Sequence, residues 1–231
     1  MSYRSIHLEE VGSTNAYLLE SYESFDSFTF LSASYQSQGK GRGSHVWESP
    51  KSSNLLCSLL LKEESLLDLG GFLSLIAGVI IARRIESFGV NGVSIKWPND
   101  IYAKGKKICG ILLQANLPHA LVIGFGINVN QQDFPGAYAH APTSLSLELG
   151  KVVDVMELKK MLCEDFDAAL HADVDKSQYL SYFRSHDYLL GKKIELMGQV
   201  GIASSVNEDF ALLLQNEQGT FALSSGEVHF L

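Results

Sequence analysis

Cysteine is scarce and scattered: Cys57, Cys109 and Cys163 stand alone in 231 residues, odd in number and without a CxxC pair. That spacing excludes a disulfide framework and a cysteine zinc site, and leaves buried free thiols in a reducing compartment as the reading. The seven histidines form no HExxH or comparable metal spacing. No apolar run is long enough to span a bilayer; the longest, 72–82, is short and broken by Ser74. The N-terminal MSYRSIHLEE lacks the apolar centre of a secretory signal. Net positive charge is also missing. At a formal −8 the chain has no general attraction for nucleic acid or anionic membrane. The expected compartment is the cytoplasm.

What is present is an ordinary globular balance, 46% apolar and 19% charged, enough to bury one large core with a small appendage. Against the acidic background, cations near Lys40, Lys96 and Lys107 stand out. Lys40 and Arg42 fall within YQSQGKGRGSHVW (35–47), which holds three glycines, two cations and a closing tryptophan. Glycine allows close backbone approach and positive φ, and successive N–H groups form anion-binding nests. The loop suits a carboxylate or phosphate ligand; a solvated glycine-rich turn is the plain alternative.

In chain order, Ser13-Thr14-Asn15 caps a short helix and offers hydroxyl and amide groups at its start. Residues 28–35 and 54–61 read as strands. Residues 70–88 place Leu73, Ile76, Ala77, Ile80, Ile81 and Ile85 on one helical face, an amphipathic core helix. A short strand, 93–97, runs into Pro98. Strands 100–103 and 108–114 flank a lysine-rich turn, 104–107, and Lys107 sits at the base of the apolar strand, where it can be held inward. In strand 121–129, Gly124 and Gly126 face the same way and leave a smooth patch for a flat apolar ligand, or for ordinary sheet packing. Helices follow at 154–170 and from about 177. After Gly191, five short strands (192–197, 199–206, 210–215, 220–223, 227–230) suggest a small β-barrel. The expected division is 1–187 for an α+β catalytic domain and 188–231 for the barrel.

Taken together and in order, STN (13–15), YQSQGKGRGSHVW, KWPND (96–100), KKICGILLQ (106–114), GFGINV (124–129), GIA (201–203) and SGEV (225–228) resemble the biotin protein ligases. The resemblance implies an α+β fold: a central mixed β-sheet with flanking helices, like the class II aminoacyl-tRNA synthetases, and a C-terminal SH3-like barrel. It implies activation of biotin by ATP to biotinyl-5′-AMP, then transfer to one lysine of a biotin carboxyl carrier protein domain. Arg42 and Lys107 are the implied catalytic cations on the carboxylate and reacting phosphate. Ser13, Thr14, Asn15 and Gln36 are implied at the ureido ring, Lys40, Gly41 and Arg42 over biotin, and Gly124 and Gly126 beside the thiophene. Lys96, Asn128, Trp47 and His45 are implied at ATP, with Asp100 as the Mg²⁺ carboxylate.

The loop departs from the family pattern, close to GRGRxGRxW: Lys40 replaces an arginine, Gly43-Ser44 shift the small residue, and His45 stands where a third arginine is usual. With STN starting at residue 13, the expectation is that no DNA-binding helix-turn-helix precedes it and that nucleic acid is not a partner. Monomer and homodimer both remain open. The competing expectations are a biotin-binding or sensing protein without ligation, and a lipoate–protein ligase of the same fold.

Overall fold

The computed structural model describes residues 3–136, 138 and 140–231. The chain runs β1 (Arg4–Leu8), α1 (Thr14–Glu20), β2 (Thr29–Ala33), β3 (Leu55–Leu61), α2 (Glu64–Leu67) and α3 (Phe72–Ser87). Then come β4 (Val93–Lys96), β5 (Asp100–Ala103), β6 (Lys106–Asn116), β7 (Ala120–Ile127), α4 (Leu145–Leu149), α5 (Val155–His171) and α6 (Lys176–Ser185). Five strands close the chain: β8 (Lys193–Leu196), β9 (Gln199–Val206), β10 (Leu212–Asn216), β11 (Gly219–Leu223) and β12 (His229–Phe230).

Seven strands form one mixed sheet in the order β1-β2-β3-β7-β6-β5-β4. β1 and β2 are parallel and the remaining pairs antiparallel. Period-two alternation divides β3 between two cores. Leu55, Cys57, Leu59 and Leu61 join the main core with α3, α5 and α6. Leu60 instead joins Leu18 of α1, Leu31, Ala120 and Val122 on the opposite face. Each buried leucine contributes on the order of 1.5–3 kcal/mol. The sheet is thus covered by three long helices on one side and by a single short helix on the other. The uncovered remainder of that second face is where a ligand can enter.

α3 departs from the one-faced helix expected. Phe72, Leu75, Gly78, Val79 and Ala82 are buried along with the anticipated stripe, because α5 and α6 cover the side that would otherwise meet solvent.

The C-terminal strands form an antiparallel sheet, β11-β10-β9-β8-β12, consistent with an SH3-like domain. Among the described residues no ladder joins β11 to β12, so the expected barrel is an open sheet in its hydrogen bonding. It packs on the first sheet through one apolar core. Trp97 donates its indole N–H to the Phe210 carbonyl at 2.9 Å. The connection also pairs with the β4 edge, through Ile95 N–H to His186 O and Tyr188 N–H to Ile95 O. β1, α2 and α4 were not legible in the sequence. They are short, and the strand β1 is largely exposed, so neither apolar periodicity nor length marks them.

Candidate active site

A cavity of about 640 Å³ opens on the α1 face of the large sheet. Every site residue expected from the sequence lines it: Ser13, Thr14, Asn15, Gln36, Lys40, Gly41, Arg42, His45, Trp47, Lys96, Asp100, Lys107, Gly124, Gly126 and Asn128. They arrive from the first turn of α1, the glycine-rich loop, the β4–β5 corner, β6 and β7.

One end is a neutral polar network. Thr14 donates its backbone N–H (2.7 Å) and its hydroxyl (2.9 Å) to Gln36 Oε1. Asn15 donates its amide to Leu112 O and Gln114 Oε1, each at 3.1 Å. Ser58 donates toward Thr14 Oγ1 at 2.7 Å and Asn15 Oδ1 at 2.6 Å. Asn15 lies against Gly124, where a Cβ would collide with its amide. Ser13 caps α1 by accepting from Ala16 N–H.

The other end is charged. A β-bulge places it there: Ile101 pairs with Cys109, but Tyr102 pairs with Lys107, leaving Ile108 as the extra residue. Strict alternation would send Lys107 to the helix-covered side with Cys109 and Ile111. The bulge re-aims it to the cavity face and turns Ile108, fully buried, into the core. Lys107 Nζ then stands 2.8 Å from Asp100 Oδ1. This is an ion pair on a buried carboxylate. The Lys107 backbone is held by Ala141 O and Thr143 N–H. Asn128 fixes that segment by donating its amide to Thr143 O at 3.0 Å. Lys96 is 8% exposed. Burial pushes its pKa below the ordinary lysine value, Lys107 and Arg42 push the same way, and Asp100 and Glu227 oppose them. His140 shares the cavity, and burial, then Lys96, lowers its pKa against the pull of Asp100.

The glycine-rich loop folds over the mouth, bridging Lys40 to Val46. Three of the residues expected at the site have neighbours within the protein. Trp47 lies over Gly126, where a Cβ would lie 2.5 Å from Cε2 of the indole. Arg42 donates to Gly226 O, between β11 and β12, at 3.1 Å. His45 lies at the outer turn 3.7 Å from Glu227, each side chain 65% exposed.

Gly110, His140 and Gly226 also line the cavity, and Ser58 and Gln114 bond to the residues at its neutral end; none of these was assigned from the sequence. Two carried a signal: Ser58 is the lone hydroxyl in an apolar strand, and Gly110 interrupts another. Gly110 pairs with Gly126 across the ladder, and both lie under Trp47. Among the described residues no three His, Cys, Asp or Glu side chains converge as a metal cluster. No helix there is long and apolar enough to cross a membrane.

A glycine loop closing over a cavity that is hydrogen-bonding at one end and cationic at the other, on a mixed sheet with a C-terminal antiparallel sheet, defines the biotin-protein-ligase fold. The structure matches the biotin protein ligase of Aquifex aeolicus, solved in complex with biotin and ATP, at TM-score 0.88 and 28% identity, covering 99% of this chain and 98% of that one. The model of the Biotin/lipoate A/B protein ligase family matches residues 9–128, and the chain belongs to that family. It is 30% identical to the bifunctional ligase/repressor BirA of Escherichia coli, over 91% of this chain and 68% of that protein. It is 27% identical to the biotin–[acetyl-CoA-carboxylase] ligase of Paracoccus denitrificans, over 96% of this chain and 99% of that one.

Proposed function

We propose that the protein is an ATP-dependent biotin–protein ligase acting on the carrier domain of acetyl-CoA carboxylase. The observation that carries this reading is the polarity of the cavity: neutral donors and acceptors at Thr14, Asn15 and Gln36, and Lys107, Asp100 and Lys96 at the far end. A ureido ring needs donors and acceptors together; a carboxylate meeting a triphosphate needs cations shielded from water. Relatives named for this activity, and one solved with both substrates, support it.

In the first step a carboxylate oxygen of biotin attacks the α-phosphorus of ATP, and the bond to the bridging oxygen breaks to release pyrophosphate. Lys107 sits as a point charge for the oxygens that gain charge, and Lys96 supports the phosphates. Trp47 covers the junction, its indole resting on Gly110 and Gly126. Asp100 would hold Mg²⁺ through its buried carboxylate, which lines the cavity beside Lys107. When bound, that ion neutralises phosphate charge. In the second step a deprotonated lysine ε-amine attacks the acyl carbon, the acyl–oxygen bond breaks, AMP leaves and the nitrogen loses its extra proton.

We also propose the boundary near residue 187 between catalytic and C-terminal units, and the cytoplasm as the site of action, the latter on the three buried free thiols. The test is biotin-dependent pyrophosphate release from MgATP, followed by streptavidin detection of a carrier domain. Labelling by lipoate instead, or biotin binding without pyrophosphate release, overturns the reading.

A further inference from the structure

We infer that Ser58 is a positioning residue that sets the hydrogen-bonding polarity of the neutral end of the cavity, and hence the selection of a cyclic urea; this rests on the biotin reading above. Ser58 is fully buried in the middle of LLCSLLL, on the cavity face opposite Gly124 in register. A hydroxyl there costs desolvation unless it is bonded, and it meets two acceptors at once, Thr14 Oγ1 and Asn15 Oδ1.

Proton bookkeeping around it has one solution. Thr14 N–H can only donate, so the Gln36 atom it meets is the carbonyl oxygen. The Thr14 hydroxyl proton goes to the same oxygen, which leaves Thr14 Oγ1 as an acceptor. Leu112 O can only accept, so the Asn15 atom it meets is the amide nitrogen, whose second proton goes to Gln114. Asn15 therefore shows Oδ1 toward Ser58 and away from β6. The two oxygens that would face each other, Thr14 Oγ1 and Asn15 Oδ1, are held side by side by the one proton Ser58 shares between them. The acceptors Thr14 Oγ1 and Asn15 Oδ1, with the Gln36 amide donor, then match a ring that has N–H on two sides and C=O between. Without the Ser58 proton the two oxygens repel. Asn15 cannot relieve this by flipping, because Leu112 O holds its amide.

The experiment compares Ser58→Ala with Ser58→Cys, which is near-isosteric and keeps a weak donor. Expected for Ser58→Ala is a biotin KM raised roughly tenfold, in line with one lost buried hydrogen bond, with KM for MgATP and kcat within about twofold. Ser58→Cys restores part of the loss. An unchanged biotin KM, or an equal rise in both KM values, overturns the assignment. Side-chain amide NMR signals of Asn15 and Gln36 give a readout independent of turnover. Both move in Ser58→Ala, or in Ser58→Cys if the alanine variant does not fold, and static signals overturn the assignment even if wild type proves not to bind biotin. Failure of wild type to bind biotin sinks the functional reading alone.

Discussion

Lys107 Nζ and Asp100 Oδ1 meet at 2.8 Å on the cavity face, either side of the extra residue Ile108 that breaks the alternation of β6. The pair holds a cation beside its counter-ion. Lys107→Ala is expected to lower the biotin-dependent pyrophosphate-release rate about a hundredfold or more, the scale for losing a transition-state charge contact. Equilibrium binding of biotin alone should change little. A near-normal rate would remove Lys107 from the chemistry.

Lys96 is a lysine buried where positive charge is disfavoured, so function and stability should oppose each other there. Its folded pKa is lowered, chiefly by burial. Between that lowered value and the ordinary 10.5 the unfolded chain binds more protons, so this group's contribution to stability rises with pH through that window. Lys96→Met should raise the melting temperature at pH 7 by a few degrees, for roughly 1 kcal/mol. It should also weaken MgATP binding and flatten the alkaline part of the stability profile. Calorimetry across pH 7–10 checks all three, and a destabilised Lys96→Met would contradict the argument.

Gly126 gives Trp47 its seat. A Cβ at position 126 would lie 2.5–2.7 Å from three indole atoms, and one at Gly110 would lie 2.9 Å from Cζ3. Gly126→Ala should lift Trp47 off the sheet and open the loop. The chain has two tryptophans, and Trp97 is buried away from this change at 1% exposure. The red shift in emission therefore reports Trp47, and unchanged emission would mean that the floor yields instead.

Arg42 ties the loop to the C-terminal sheet through Gly226 O. Gly226 is constrained, with φ +129 and a Cβ position 2.5 Å from Leu196 Cδ1. Arg42→Ala should shorten retention of biotinyl-5′-AMP at least severalfold, seen as biotin appearing on bystander proteins. Glu227→Ala should behave like wild type, because its contact with His45 is long and solvent-exposed. Equal effects from both variants would place the latch elsewhere.

Much of this molecule was readable beforehand. β5 was placed residue for residue, and β9 likewise, since apolar patterning is bounded there by turns. The site residues were all assigned to one cavity because each sits in a short motif of distinctive composition. The partners they use in the closed state were not readable. Arg42 and Gly226 are 184 positions apart, and nothing local to either specifies the other.

The amino-acid order alone determined the set of chemical groups and the elements that carry them, because glycine content, caps and apolar period act within a few residues. Only the tertiary structure decided where those groups point. A single extra residue in β6 turns Lys107 from core to cavity, and Trp47 rests on Gly126. Side-chain direction depends on register and on the neighbour that fills the space, and both are set across the fold.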